Sequence, residues 1–307
     1  SSATRPAPFH QLVDGIPRSP FLDPALVRQA LAYRPLEGDI VLVTYPKSGS
    51  HWVQQVIQLI LNRAESRLPS LSDTTKRTPL LENHGTNWLD DVPLPRTIRT
   101  HLQKLRDNFS EDAKYVYVAR SPWDCCVSFY HAVRGLPKYR FQEGTFEDFV
   151  EAFLAGDFGY GDYFDHVSCG YEHKDRPNVF FLRYEDLKTD LPSVVLRLAY
   201  FIGEEYGRML DNNDDLFERV LEKCGFEYMR RVFGMDATKY ADVLTSYCDF
   251  TRNDVPEGKG ESIASPFSLS KRRFGSWSDC YTHDQMRRMR HRLERSCQDL
   301  LGIWEPK

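Results

Sequence analysis

The stretch TYPKSGSHW, residues 44–52, decides how this chain folds. An apolar, β-branched run over residues 39–45 leads into it and is typical of a buried parallel strand. After the glycine, apolar side chains recur at the spacing of one helix face from about Ser50 onward: Val53, Val56, Ile57 and Ile60. The stretch therefore predicts a strand, a tight loop and a helix in succession.

The predicted loop offers several donors to an anion. Its turn into a helix provides free backbone N–H groups, the positive end of the helix dipole, the hydroxyls of Ser48 and Ser50, and the ammonium of Lys47. A nucleoside-triphosphate loop needs G-x-x-x-x-G-K-[ST], whereas here a single glycine follows the lysine. The pattern predicts an oxyanion site and leaves open a plain tight turn with an exposed lysine.

The same pattern recurs further along the chain. Residues 114–120 read as a strand, and Ser121 and Pro122 suit the cap and first position of a helix over residues 123–133. A third strand is predicted at residues 179–184, followed by another helix. This alternation predicts an α/β fold with a mostly parallel central sheet flanked by helices, whose ligands bind at the carboxyl ends of the strands.

The whole chain, residues 1–307, is expected to form one domain. Residues 1–38 are a Pro-rich lead-in, and residues 232–277 form a long irregular segment of the kind that covers a ligand. The last apolar helix face is predicted to end at Gly302. Five basic residues of that helix are assigned to solvent: Arg287, Arg288, Arg290, Arg292 and Arg295.

Composition narrows the class of protein. The chain has 307 residues, 41% of them hydrophobic and 27% charged, with a formal net charge of −4, which is typical of a globular protein and gives no indication of nucleic-acid binding. Neither a membrane span nor a signal peptide is indicated. The seven cysteines are scattered, so reduced thiols and a cytoplasmic location are expected.

Three further features carry candidate chemistry. His101 follows Arg99 at the end of a short predicted strand, where it has the position of a general base, although most histidines are structural. Arg120 and Ser128 suit a phosphate dianion, but Arg120 also has Asp124 as a candidate ion-pair partner. The cations at residues 271–273 are typical of a polyanion clamp or of a solvated charge run.

Taken together, five motifs resemble those of the cytosolic sulfotransferases, which move a sulfuryl group from 3′-phosphoadenosine 5′-phosphosulfate (PAPS) to a small acceptor. The motifs are TYPKSGSHW, RTHL, YVARSPWDCCVSFYH, FLRYEDL and, more weakly, KRRFGSW, and they extend from about residue 39 to residue 277 in the order of that family.

The resemblance implies roles for particular residues. The 5′-phosphosulfate is expected to lie against Lys47, Ser48, Gly49, Ser50 and His51. The adenine is expected to lie near Trp52, Tyr184, Cys224 and Phe226. The 3′-phosphate is expected to bind Arg120 and Ser128, and the late cations of the site are Lys271, Arg272 and Arg273. His101 is the expected catalytic base, with Lys47 stabilising charge on the transferred group; no metal is expected.

Two departures from the family pattern affect these expectations. His51 stands where the family has threonine, and the family's dimer signature is poorly matched after residue 277, so the chain is expected to be a monomer or a dimer. The expected acceptor is a small hydroxyl compound such as a phenol, catecholamine or steroid. The alternatives are a carbohydrate sulfotransferase, a nucleotide kinase, and a nucleotide-binding protein without catalysis.

Overall fold

A computed structural model describes residues 5–65, 78–229 and 280–304. Its strands are β1 (Gln11–Val13), β2 (Ile16–Arg18), β3 (Asp39–Thr44), β4 (Arg96–Thr100), β5 (Lys114–Ala119) and β6 (Val179–Arg183). Its α-helices are α1 (Pro24–Ala32), α2 (Ser50–Leu61), α3 (Leu81–His84), α4 (Pro122–Arg134), α5 (Phe146–Ala155), α6 (Tyr163–Glu172), α7 (Tyr184–Thr189), α8 (Leu191–Ile202), α9 (Glu204–Asp211), α10 (Asp214–Cys224) and α11 (His283–Trp304).

The central sheet is parallel throughout, with strand order β4-β3-β5-β6. The chain leaves β3 toward β4 on one side and later returns to β5 on the other side of β3. The crevice between the carboxyl ends of β3 and β5 is therefore the switch point at which α/β sheets bind ligands. The predicted fold class, a mostly parallel sheet flanked by helices, is confirmed.

Side chains of β3 point alternately to the two faces of the sheet and contribute to a core on each face. Val41 and Val43 pack in the cluster that contains α4, α5, α6 and α11. Ile40 and Leu42 pack in the other cluster, with α2, α8 and α10. Because both faces are covered, β3 is buried along its whole length, which explains its unbroken apolar sequence.

The helix starts agree with the sequence, with one difference at α4. Helix α2 begins at Ser50 and α4 at Pro122, as predicted to within one residue. Ser121 occupies the N-cap position of α4, but its buried hydroxyl makes no hydrogen bond within the described part of the chain. Its backbone N–H donates instead to Glu185 Oε1 at 2.9 Å, which fixes the start of α4 against the start of α7.

The last helix differs from the prediction in two respects. Helix α11 continues through Gly302 to Trp304, with a non-helical residue at Cys297. Two of the arginines assigned to solvent form ion pairs with the rest of the fold: Arg288 contacts Glu151 of α5 at 2.5 Å, and Arg292 contacts Asp162 at the start of α6. These pairs attach α11 to the helical layer.

The sequence pattern predicts no element in residues 1–38, whereas β1, β2 and α1 lie there, with β1 and β2 forming an antiparallel hairpin. The irregular segment predicted at residues 232–277 falls outside the described residues. Among the helices that the structure describes, none has the length and apolar character required to cross a membrane.

Candidate active site

Each strand of the central sheet ends next to a candidate functional side chain. Lys47 follows β3, His101 follows β4, Arg120 follows β5 and Tyr184 follows β6. Since parallel strands present their carboxyl ends at one edge, these four residues converge on the same side of the sheet. The spacing of apolar runs in the sequence is what makes this convergence predictable.

The loop after β3 has a constrained backbone. Lys47 has φ 70° and Gly49 has φ 101°, both in the left-handed region that side chains with a Cβ rarely adopt. Gly49 is also the N-cap residue of α2, and a Cβ there would lie 2.5 Å from Cδ2 of Tyr184. Glycine is therefore required both for its φ and for the close approach of the loop to that ring.

Arg120 fastens the loop after β3 to the loop after β5. Its Nη1 donates to the Lys47 carbonyl at 2.7 Å, and its guanidinium lies 4.4 Å from the centre of the Tyr184 ring. The side chain is only 6% exposed, and its Nε has no hydrogen-bond partner in residues 5–65, 78–229 or 280–304. The carboxylate of Asp124 and this guanidinium attract each other, although they form no ion pair among those residues.

An aromatic cluster lies beside the Arg120 guanidinium. Trp52 contacts the rings of Tyr184 and Phe226 at centroid distances of 5.6 and 5.8 Å. The Trp52 indole N–H donates to the Cys224 carbonyl at 2.8 Å. The ammonium of Lys188 lies 5.1 and 5.4 Å from the Tyr184 and Phe226 rings. The residues expected to contact an adenine are thus neighbours, and Lys188, which no sequence motif predicts, lies beside them.

The tautomer of His101 follows from its hydrogen bonds. Its Nδ1 lies 2.8 Å from the Thr44 carbonyl oxygen, which can only accept, so Nδ1 carries the proton. The same nitrogen lies 3.0 Å from Thr44 Oγ1. In the neutral ring Nε2 is therefore the basic nitrogen. Because Thr44 directly precedes the Lys47 loop, this bond ties the ring to that loop.

Burial, together with the positive charges around the site, keeps its histidines neutral. Burial, with Arg99 as the next cause, lowers the pKa of His101 to about 3. The pKa of His51 falls well below its usual value, first through burial and then through Arg99 and Lys47. Arg99 Nη1 donates to His51 Nε2 at 2.8 Å, so that nitrogen is unprotonated. Burial and the nearby Arg120 lower the pKa of Lys47 to about 8.

Two neighbours of His101 were not singled out by the sequence. Glu82, completely buried on the four-residue helix α3, accepts hydrogen bonds from the His101 backbone N–H and from Thr100 Oγ1, both at 2.8 Å. The Tyr160 ring meets the His101 ring edge to face at 5.3 Å. Glu82 lies within residues 80–88 and Tyr160 within residues 158–163, so both segments contact His101.

Other predicted site residues have different placements. The Ser48 hydroxyl faces the buried thiol of Cys125 at 3.9 Å, on the inner side of the loop. Ser128 lies half-buried on α4, and Ser50 is buried at the first turn of α2. Lys271, Arg272 and Arg273 lie outside the described residues. Among the residues that are described, no three His, Cys, Asp or Glu side chains are grouped as metal ligands would be.

Comparison with known proteins places this chain in a family. A sulfotransferase domain model matches residues 37–300. Sulfotransferase 1C2 of Rattus norvegicus is 29% identical over 280 residues, covering 88% of this chain and 86% of the relative. Sulfotransferase 1B1 of Mus musculus is 30% identical over 263 residues, covering 81% and 79%.

Solved structures agree with the family match. The crystal structure of mouse sulfotransferase SULT7A1 complexed with PAP has a TM-score of 0.69 and 25% identity, and covers 96% of this chain and 98% of its own. Retinol dehydratase in a complex with retinol and PAP has a TM-score of 0.67 and 22% identity, covering 92% and 87%, and supports the fold alone.

The chain belongs to the sulfotransferase family, and within it to the cytosolic sulfotransferases that the sequence motifs predicted. It is an enzyme of sulfuryl transfer with PAPS as its donor, which confirms the predicted activity and co-substrate. This result favours the sulfotransferase interpretation over the nucleotide-kinase and non-catalytic alternatives.

Proposed function

We propose that this sulfotransferase transfers the sulfuryl group of PAPS to a hydroxyl of a small acceptor such as a phenol, a catecholamine or a steroid. The observation that carries the proposal is the state of His101. Its ring is neutral, is fixed as the Nδ1–H tautomer, and is hydrogen-bonded to Thr44 at the end of β3, just before the Lys47 loop. A pure nucleotide-binding site has no need of a base in that position.

The donor is proposed to bind across the ends of β3, β5 and β6. The phosphosulfate lies against the loop that contains Lys47, Ser48, Gly49, Ser50 and His51. The 3′-phosphate lies against Arg120, whose buried Nε supports an anion there, and Ser128. The adenine lies against Trp52, Tyr184, Cys224 and Phe226. Lys271, Arg272 and Arg273 stay predictions.

The proposed reaction is an in-line displacement at sulfur. His101 Nε2 takes the proton of the acceptor hydroxyl as its oxygen forms a bond to sulfur. The bond between sulfur and the phosphate oxygen breaks, and adenosine 3′,5′-bisphosphate (PAP) leaves with the electron pair. Lys47 and the N–H groups at the start of α2 stabilise the charge that develops on the sulfuryl and phosphate oxygens.

The acceptor is proposed to bind on the far side of His101 from the donor loop. Glu82 and Tyr160 support this location, because they bring residues 80–88 and residues 158–163 into contact with His101. A cytoplasmic location is also proposed; the cysteines that the structure describes are all free thiols, as expected in a reducing compartment.

Transfer of sulfur from labelled PAPS to a panel of phenols, catecholamines, steroids and sugars tests the acceptor class. A rate confined to sugars would contradict the proposal and return the carbohydrate alternative. His101→Ala should lower kcat by at least about 100-fold while PAP binding, measured by calorimetry, stays nearly unchanged. Lys47→Ala should lower transfer as well, and the wild-type protein should bind PAP more tightly than ATP.

His283→Ala is a suitable control, since His283 is exposed at the start of α11. If His101→Ala kept the activity of that control, His101 would not be the base.

A further inference from the structure

Arg18, at the end of β2, is a buried arginine that forms no ion pair with the described residues. It is 9% exposed, and its Nε is enclosed with no hydrogen-bond partner among the described residues. Arg96, with a similar exposure of 7%, shows the usual solution: its Nε contacts Asp39 Oδ1 at 2.6 Å. No such ion pair is formed by Arg18 in the described part of the chain. A buried charge left unpaired is costly, so a partner from outside the described residues is expected.

The charge of Arg18 acts on the groups that surround His101. The carboxylates of Glu82 and Asp107 and the phenol of Tyr160 are near enough to act on that charge, but neither carboxylate forms an ion pair with it in the described part of the chain. Glu82 bonds to the His101 backbone, and Tyr160 contacts the His101 ring. Tyr160 also packs against Val13, Leu22 and Val27 beside the hairpin that carries Arg18, which places this hairpin on the proposed acceptor side of His101. Burial lowers the pKa of Arg18, but a guanidinium stays protonated at neutral pH.

Glu82 does not supply the missing partner. Its Oε2 accepts from Thr100 Oγ1 and its Oε1 from the His101 N–H, each at 2.8 Å. These bonds support β4, and this carboxylate forms no ion pair with Arg18 in the described part of the chain. The planar fork of an arginine matches a carboxylate or another oxyanion in two parallel hydrogen bonds.

Attachment of the β1–β2 hairpin does not explain Arg18 either. Gln11 Nε2 donates to the carbonyls of Ser19 and Leu22 at 2.8 and 2.6 Å, and the Ser19 hydroxyl lies 2.9 Å from Tyr139 OH. These bonds hold the hairpin to the chain without the guanidinium. The charge of Arg18 is thus available for a ligand.

We propose that Arg18 binds an oxyanion carried by the acceptor, so that the preferred acceptors are hydroxyl compounds with an acidic group such as a carboxylate. This inference rests on the proposed function, because it requires the acceptor to lie beside His101. It narrows the acceptor class to hydroxy acids.

Matched acceptors test the proposal. The value of kcat/KM for sulfation is compared between 4-hydroxyphenylacetate and its amide. The same comparison is made between a hydroxysteroid acid and its amide. The wild type should prefer each acid by about tenfold or more, the value of a charge-assisted hydrogen bond. Arg18→Gln should reduce the ratio to about one, and Arg18→Lys should give an intermediate ratio. A sulfonate analogue of the phenol shows whether carboxylate is preferred over other oxyanions.

Arg28→Gln is the matched control. Arg28 pairs with Asp14 in the turn of the same hairpin, but both side chains are more than half exposed. This variant should keep the acid preference of the wild type. A purely structural role of Arg18 would lower the rates for acid and amide equally and leave their ratio unchanged, which would overturn the proposal.

Each of the remaining outcomes either supports or contradicts the proposed role of Arg18. If the wild type shows an acid-to-amide ratio of kcat/KM near one, the proposal is contradicted without any variant. The test therefore does not depend on the folding of Arg18→Gln. If sugars or other neutral acceptors are sulfated and no acid is, Arg18 has no such role although transfer itself is intact. If no acceptor is sulfated, the proposed acceptor class fails, and the role of Arg18 is then tested by calorimetry of 4-hydroxyphenylacetate with the PAP complex of the protein. Binding to the wild type that is lost in Arg18→Gln supports the role. Absence of binding to the wild type overturns it.

Discussion

Replacing Gly49 with alanine tests whether the donor loop depends on its contact with Tyr184. The substitution adds a Cβ at φ 101°, at a cost of about 1 to 2 kcal/mol for an L-residue in the left-handed region. It also places that Cβ 2.5 Å from Tyr184 Cδ2 and 3.0 Å from Cε2. Carbon atoms pack at about 3.5 to 4.0 Å, so the ring or the loop must shift by about 1 Å.

A shift of that size disturbs the donor site from two sides. The Tyr184 ring is the surface on which the Arg120 guanidinium stacks at 4.4 Å, and Arg120 in turn holds the Lys47 carbonyl. A misplacement of about 1 Å can lower a rate by about 100-fold. We therefore expect Gly49→Ala to lower kcat/KM for PAPS by about 100-fold and to weaken PAP binding measured by calorimetry.

Gly15→Ala separates the backbone cost from the contact. Gly15 has φ 79° in the β1–β2 turn, and its added Cβ would have no atom within 4 Å. This variant should lose a similar 1 to 2 kcal/mol of unfolding free energy, roughly the left-handed cost alone, with unchanged kinetics for PAPS. Equal kcat/KM values for the two variants would refute the assigned role of the Tyr184 contact.

Three further predictions concern charge. Because the pKa of Lys47 is lowered to about 8, kcat/KM for PAPS should fall as pH rises through that value. Lys47→Arg should remove this fall, and a wild-type profile that is flat to pH 9 would contradict the prediction. The His101 ring should show no titration by NMR between pH 5 and 8 in the free protein, and its pKa should rise when PAP is added. Glu82→Gln should lower the unfolding free energy by about 1 to 3 kcal/mol in urea titrations and reduce kcat, while the KM for PAPS is unchanged.

The donor side of the site was accessible from the sequence because its residues are local to apolar strands. Lys47 and Arg120 each follow a β-branched run, and parallel strands bring such positions together. Glu82 and Arg18 lie on a four-residue helix and a three-residue strand, too short to show any periodicity. Their proximity to His101 depends on long-range packing, which spacing along the chain does not encode.

The end of α11 shows how tertiary contacts outweigh a local signal. Gly302 was predicted to end the helix, and an interior glycine costs only about 1 kcal/mol relative to alanine. Beyond it, Trp304 is buried in the core and its indole N–H donates to Glu185 Oε2 at 3.1 Å. Burial of one aromatic side chain exceeds the glycine cost, at about 1.5 to 3 kcal/mol. The helix therefore continues to the tryptophan.

The cations of the site link donor binding to the readiness of the base. Burial is the largest cause that lowers the pKa of His101 and of Lys47. Arg99 and Lys47 lower that of His101 further and Arg120 that of Lys47, so the unliganded site has an excess of positive charge. A donor with phosphate and sulfate groups neutralises this excess, because opposite charges at short range favour the charged form of each group. In the proposed mechanism, bound PAPS should therefore raise the basicity of His101 just when a proton must be accepted. Without the donor the ring should stay a weak base, and the acceptor hydroxyl should keep its proton.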